Sequence, residues 1–276
     1  MTREAVDLDV LVPTAGRPAA LAATLAALLG SPVRGRLVLS DQTEGAPAYD
    51  DPTVRGVLRV LRQDGWEVDA EQHLPRRGVA ENRQALLEQA RAALVLYLDD
   101  DVLLEPWALP RLLEAQRALS AGFVAMSFQG ASFVGDVRPH EHAAYEEWDG
   151  PVVPERVRKG DPGWERWRLH NAANLVHLDA ELGPHPRGWR AYKVCWAAGC
   201  VLFDRQALLD SGGFAFWRDL PPESAGEDVV AQLRVMERSG GAGLLPSGAW
   251  HLELPTTVGD RRVDAYAVVL EGRPVG

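Results

Sequence analysis

Three consecutive aspartates, Asp99, Asp100 and Asp101, close the longest wholly apolar run of the chain, Ala92 to Leu98. Such a run reads as a buried strand, and open α/β sheets place their ligands just beyond strand carboxyl ends. Side chains at i and i+2 of an extended chain point the same way, so Asp99 and Asp101 are expected to face one site and Asp100 to turn elsewhere. Three adjacent carboxylates repel, and the closest cations along the chain are Arg91 and Arg111. A hard divalent cation, Mn²⁺ or Mg²⁺, relieves this, because it takes oxygen ligands, commonly one or two carboxylates plus substrate phosphates. The bland alternative is a solvated acidic turn capping the next helix.

A second acidic pair, Glu227-Asp228, follows Ser224-Ala225-Gly226 and leads into Val229, Val230, Leu233 and Met236 at helical spacing. Ser224 and Glu227 have the spacing of a capping box, which assigns Glu227 partly to structure. Asp228 is left as a carboxylate held ionised at a helix N-terminus and available as a general base. His251, after a strand ending in Trp250, is a candidate third metal ligand, with core packing as its alternative. His140 and His142 read as surface residues. Trp148, Trp164, Trp167, Trp189 and Trp196 can stack on sugar faces, although core filling is the expected role for most.

These groups must be positioned by strands and helices, and the pattern supplies them. Leu8 to Val12 reads as a strand, Pro13 to Arg17 as a turn, and Pro18 opens a helix with Leu21, Leu25, Leu28 and Leu29 on one face and Gly30 as its stop. Leu37 to Ser40 is a second strand ending in Asp41, Val79 to Ala92 a helix, and Ala93 to Leu98 the strand of the aspartates. A helix from about Pro106 and a strand at Phe123 to Phe128 follow. From Gln129 to Lys193 periodicity is lost, and the segment reads as a partly ordered insertion shaping a binding site. Order returns with a strand at Gly199 to Phe203, helices at Arg205 to Asp210 and Gly226 to Arg238, and a closing strand over Leu244 to Trp250. Strands alternating with helices indicate an α/β protein.

The chain has 276 residues and a formal charge of −10 from 39 acidic and 29 basic residues, which argues against nucleic acid as a partner. Its two lysines are Lys159 and Lys193. Cys195 and Cys200 make neither a disulfide framework nor a zinc pattern and read as reduced. No stretch approaches the roughly 20 apolar residues of a spanning helix, so the expected location is cytoplasmic, with room for a peripheral contact at the inner membrane face.

In their order, these motifs resemble the family 2 glycosyltransferases, inverting enzymes with the GT-A fold. The landmarks are Pro13-Thr14-x-x-Arg17, Asp41, Gly78-Val79-Ala80-Glu81-Asn82-Arg83, and Leu98-Asp99-Asp100-Asp101 as the D-x-D element. A fifth block comprises Gly199 to Phe203, Gly212-Gly213-Phe214, Gly226-Glu227-Asp228 and Leu233-Arg234. The resemblance implies a Rossmann-like mixed sheet flanked by helices, as a single domain over 1–276. A nucleotide-sugar half (about 1–128) would be joined to an acceptor half (about 129–276) carrying the insertion. It places a UDP-, GDP- or dTDP-sugar near Pro13, Thr14, Arg17, Asp41 and Arg83, with Asp99 and Asp100 serving the ribose and metal-bound water. It assigns Asp101, with Asp99 and His251, to Mn²⁺ or Mg²⁺, and Asp228 to the base. Glu227 and Trp196 fall on the side of a carbohydrate, lipid-linked or small-molecule acceptor, read by the insertion and the tail after Pro255. The family's Ala-Arg-Asn reads Ala80-Glu81-Asn82-Arg83 here, which leaves the arginine's role open.

Other classes share parts of this pattern. A phosphohydrolase of the haloacid-dehalogenase type would use Asp99 as nucleophile and Asp101 as general acid, but its nucleophile strand comes near the N-terminus and its fourth residue after the first Asp is Thr or Val, where this chain has Leu103. A sugar-nucleotide pyrophosphorylase resembles a glycine-rich N-terminal loop with a lysine, and no lysine precedes Lys159. A non-catalytic sugar-nucleotide binder would be expected to lack Asp101 or Asp228. Metal-site residues do not distinguish inversion from retention.

Overall fold

The computed structural model describes residues 4–256 and 262–274. The first half runs β1 (Glu4–Thr14), α1 (Pro18–Leu28), β2 (Val33–Asp41), α2 (Pro52–Gln63), β3 (Glu67–Gln72), α3 (Val79–Gln89), β4 (Leu94–Leu98), β5 (Val102–Leu104), α4 (Ala108–Leu119) and β6 (Phe123–Ala125). The second runs β7 (Gln129–Gly130), α5 (Pro139–His142), α6 (Asn174–Leu182), β8 (Arg190–Tyr192), β9 (Cys200–Asp204), α7 (Arg205–Asp210), α8 (Glu227–Ser239), β10 (Gly241–Leu245), β11 (Ala249–His251) and α9 (Ala265–Val269). Eight strands form one sheet in the order β3-β2-β1-β4-β9-β6-β10-β8, and β5-β11-β7 form a second, small sheet. β1 to β4 pair in parallel, whereas β9 runs antiparallel to β4 and β6, so the large sheet is mixed.

The strands read as continuous apolar runs because both faces of the sheet are covered. Val10, Val12, Leu37, Leu39, Leu96 and Leu98 turn to one face, under Leu21 and Leu25 of α1, Leu58 and Leu61 of α2, and Leu109 and Leu112 of α4. Leu11, Val38, Val95 and Tyr97 turn to the other, under Leu86 and Leu87 of α3 and Val230 and Leu233 of α8. The period of two along each strand thus feeds two cores.

The sequence-based boundaries hold for β1, α1, β2, α3, β4, α7 and α8 to within a few residues. Two expectations need correction. The single closing strand over Leu244 to Trp250 is two strands in different sheets, β10 and β11, broken at Pro246-Ser247-Gly248, where proline removes a ladder donor. The strand expected to run to Phe128 stops at Ala125, and the chain resumes as β7 in the small sheet. The segment from 129 to 193, expected to be partly ordered, contains β7, α5, α6 and β8 together with 3₁₀ stretches, held by ion pairs such as Arg166 with Glu146 and Glu155. Apolar periodicity, which reads buried faces, missed it because charge pairing organises much of it. In the tail after Pro255, residues 257–261 and 275–276 lie outside the described ones.

Gly78 links fold to site. Its φ is +97°, and a Cβ there would sit 2.4 Å from the Pro222 carbonyl oxygen, so only glycine lets α3 begin against the loop that leads to α8. Gly78→Ala is expected to lower the unfolding free energy by about 1–3 kcal/mol in urea titration; an unchanged midpoint would mean that this close approach is absent.

Candidate active site

The aspartates do not continue β4. Asp99 N–H donates to the Gly199 carbonyl (2.9 Å), and the chain then turns, with Val102 N–H returning to Asp99 (3.3 Å). Alternation therefore fails here: it is Asp100 and Asp101 that share a partner, and Asp99 that turns away. Arg17, in the loop after β1, reaches Asp101 Oδ2 with one terminal nitrogen at 2.5 Å and Asp100 with the other. The Thr14 hydroxyl donates to Asp100 Oδ2 at 2.5 Å. The charge is not left to distant Arg91 and Arg111; Arg91 pairs with Glu67, and Arg111 lies over the Trp107 ring at 4.1 Å. The compensating cations are Arg17 and Arg83, brought in from two other elements. Burial pushes Asp100 up to about 6 against the opposing pull of Arg17 and Thr14. Burial also acts on Asp101, but the His251 hydrogen bond and Arg17 outweigh it and hold that carboxyl below its usual range.

Arg83, buried on α3, donates from one terminal nitrogen to Asp99 (2.7 Å) and from Nε to Glu227 (3.0 Å). Its guanidinium lies 5.5 Å from the Tyr97 ring, and the Tyr97 hydroxyl donates to the Arg83 carbonyl at 2.7 Å. Burial opposes its charge, yet Asp99, Glu227 and Asp228 together raise its pKa further. The capping box is not formed. Gly226, at φ +86°, is the N-cap of α8, and Glu227 spends its carboxylate on Arg83 instead of on Ser224. Asp228 is pushed up to about 7, first by burial and then by the neighbouring Glu227 and Asp99, with Arg83 pulling the other way. The helix N-terminus therefore does not keep it ionised at low pH as the sequence suggested. A carboxyl poised near neutrality suits a general base.

His251 comes from β11, whose ladder sets it opposite Val102 of β5 and Gly130 of β7. Leu252 N–H donates to the Asp101 carbonyl (2.9 Å), so the small sheet ties the histidine to the acidic turn. Its Nε2 stands 3.3 Å from Asp101 Oδ2, and its ring stacks on Phe128 with centroids 4.4 Å apart. Among the described residues no three His, Cys, Asp or Glu side chains converge to hold a metal alone. Asp101 and His251 nevertheless supply one oxygen and one nitrogen donor to one place, which fits a divalent cation completed by substrate phosphates. Asp99, engaged by Arg83, is not gathered with them.

A cleft of about 830 Å³ is lined by Pro13, Thr14, Arg17, Arg83, all three aspartates, Glu227, Asp228 and His251. Asp41 lies beneath it, fully buried, its carboxylate accepting from Thr43 N–H (2.8 Å) and Ala48 N–H (2.5 Å), so it shapes the loop that follows β2. Trp196 packs on Trp164, with ring centroids 5.2 Å apart, as part of the second core, and is not among the lining residues. His140 is exposed and His142 half-buried, with its Nδ1 3.1 Å from Glu181 Oε2 where α5 meets α6. Asn82, part of the third landmark, and Phe128, which was not singled out from the sequence, also line the cleft. The one signal for Phe128 was an aromatic ending an apolar run.

Replacing Arg83 with methionine leaves three carboxylates facing one another, and loss of one partner from a buried ion cluster costs about 3–5 kcal/mol. The folded chain holds the Asp228 proton up to about pH 7, whereas the unfolded chain releases it near 3.8, so this group costs stability as pH rises through that window. Urea unfolding of Arg83→Met should therefore show its deficit at pH 8 and a smaller one at pH 5; equal deficits would place the loss in packing alone.

Residues 72–191 match the model of the family described as glycosyl transferase family 2. No curated protein matches the chain by sequence. Among solved structures, S. aureus TarS 1-349 in complex with UDP-GlcNAc is similar at a TM-score of 0.54 and 13% identity, over 90% of this chain and 59% of that one. A second S. aureus TarS structure matches at 0.53 and 14%, over 88% of this chain and 36% of that one. The chain thus spans 59% and 36% of these two TarS chains. At a lower TM-score of 0.48 and 13% identity stands the mannosyltransferase PcManGT from Pyrobaculum calidifontis in complex with GDP-Man and Mn2+, over 86% of this chain and 56% of that one. The family match includes Gly78, Arg83 and the acidic turn, while Arg17, Asp228 and His251 are brought to the same cleft by the fold. Residues 72–191 are therefore similar to glycosyl transferase family 2, within a fold of the GT-A type that the TarS structures share over about 90% of this chain.

Proposed function

We propose that the chain is a single catalytic unit that moves a sugar from a nucleoside-diphosphate donor to an acceptor hydroxyl by one inverting displacement. The carrying observation is that one cleft presents Asp101, His251 and Arg17 beside a separate carboxyl, Asp228, whose pKa burial and Glu227 push upward. The donor would lie over the half formed by residues 1–128, with Pro13, Thr14 and Asp100 at its nucleoside and Arg17 at its phosphates. The acceptor would enter over residues 129–276. The TarS complex with UDP-GlcNAc supports a sugar nucleotide as the donor class, with UDP, GDP and dTDP as the bases to compare.

Asp228 takes the proton from the acceptor hydroxyl as that oxygen attacks the anomeric carbon from the face opposite the diphosphate. The carbon–oxygen bond to the diphosphate breaks in the same step. Asp101 and His251 would hold Mn²⁺ or Mg²⁺, which, when bound, supplies positive charge against the leaving diphosphate. Glu227 serves as a brace: its ion pair fixes Arg83, and Arg83 limits how far the pKa of Asp228 rises. Among the described residues no helix is long and apolar enough to cross a membrane, so a lipid-linked acceptor would be met at the surface.

Thermal shift with UDP, GDP and dTDP, each with and without Mn²⁺, should show one base preferred, with the metal-dependent part lost in Asp101→Ala. No stabilisation by any of them would remove the donor assignment. Asp228→Asn should lower kcat by about 10²–10⁴ while retaining nucleotide binding, as expected for a lost general base. The wild-type rate should fall as pH drops below about 7, where Asp228 becomes protonated. A rate flat between pH 5 and 8 would take the base role from Asp228.

A further inference from the structure

The oxygen best placed to meet a divalent cation is already engaged by a cation of the protein. Asp101 Oδ2 receives Arg17 at 2.5 Å and faces His251 Nε2 at 3.3 Å. The other terminal nitrogen of the same guanidinium lies on Asp100, so a single positive group spans the two carboxylates. Arg17 is itself one-fifth exposed and lines the cleft, whereas the carboxylates it bridges are buried. Its Nε is buried with no hydrogen-bond partner, so the guanidinium is not fully satisfied where it sits. Its backbone follows Gly16, whose φ is +72° with nothing near a would-be Cβ, and Arg17 itself sits at the N-cap of α1 without capping through its side chain. A long side chain anchored only by its head, next to an unhindered glycine, has room to swing along the cleft.

We infer that Arg17 is an internal counter-cation that competes with the divalent metal for Asp101 and is drawn off by the donor's diphosphate. This rests on the glycosyltransferase reading for the identity of the anion, but not for the competition itself. A guanidinium in contact with Asp101 repels an incoming dication and occupies the oxygen it needs. A diphosphate offers Arg17 a bidentate alternative of higher charge. Once Arg17 turns to it, Asp101 and His251 are left facing the phosphate oxygens. Metal binding without nucleotide is thereby kept weak, and metal and nucleotide assist each other's binding. Arg17 is a positioning residue in this account, acting through Asp101.

The test is Mn²⁺ affinity in the absence of nucleotide, read from the free-ion EPR signal, for wild type, Arg17→Gln and Arg17→Lys, with Asp101→Asn added to the glutamine variant. Arg17→Gln should bind Mn²⁺ about tenfold or more tightly than wild type, because a like charge next to the site is gone. Arg17→Lys, which keeps the charge, should stay near wild type, and the added Asp101→Asn should abolish the gain. Equal affinity of wild type and Arg17→Gln, or a gain that survives Asp101→Asn, overturns the competition. Circular dichroism on each variant separates a folding defect from a binding change, and Arg17→Lys carries the comparison if the glutamine variant is unfolded: tighter Mn²⁺ binding by it than by wild type overturns the proposal. Addition of UDP, GDP and dTDP in turn distinguishes the two readings. If none of the three tightens Mn²⁺ on wild type while Arg17→Gln still gains, the donor assignment fails and the competition stands. If a nucleotide tightens Mn²⁺ equally on wild type and on Arg17→Gln, the competition fails and the donor assignment stands.

Discussion

The crowding of negative charge at the carboxyl end of β4 is the constraint on which the cleft depends. Asp99, Asp100 and Asp101 are adjacent in the chain, and the start of α8 adds Glu227 and Asp228 on the other side. Burying charges without partners is far more costly than any single packing contact. The fold answers with two arginines from elements that have nothing else in common: Arg17 from the loop after the first strand and Arg83 from the helix preceding the acidic turn. Each arginine holds two carboxylates, and the division between them separates the cleft chemically. The pair held by Arg17 stands beside His251, and the pair held by Arg83 stands beside Asp228.

That division explains why two carboxyls of one cleft, Asp101 and Asp228, behave differently. Asp101 has a histidine and an arginine on one oxygen, which hold its carboxyl below the usual carboxylate range. Asp228 shares its arginine with Glu227 and Asp99 and has burial against it, so its proton is retained to about 7. A pair of carboxyls whose surroundings push their pKa values apart can divide charge stabilisation and proton transfer between them. No long-range effect is needed; the same guanidinium that neutralises Asp99 sets the limit on Asp228.

How much of this was legible in the sequence follows from the kind of signal each part carries. The apolar strands β1, β2 and β4 and the helices α1 and α3 were readable because their burial leaves a periodic trace, and the acidic turn was readable because it interrupts an apolar run. Helix α2 went unread although Val54, Leu58 and Leu61 recur at helical spacing; the edge strand β3 left a weaker trace, with Glu67, Asp69 and Glu71 on exposed positions and two apolar residues. The insertion was opaque because ion pairs and rings, among them Arg166 with two glutamates and Trp164 against Trp196, hold it together without a repeat. Within the site, residue types were legible and partners were not. Neighbours in sequence suggested Arg91 and Arg111 as the nearest cations, whereas Arg17 arrives from 84 residues away in the chain because β1 and β4 are adjacent strands.

The adjacency of β1 and β4 also fixes what can vary. Their parallel register sets Leu8 opposite Leu94 and Leu11 opposite Tyr97, which brings the loop carrying Thr14 and Arg17 over the acidic turn. Asp101 is tied in addition to β11 through the Leu252 hydrogen bond, so the carboxylate and the histidine are held by backbone. Arg17, by contrast, enters on a side chain after a glycine. Of the groups gathered on Asp101 Oδ2, the backbone therefore fixes the two that suit a metal and leaves the competing cation on the one component able to move.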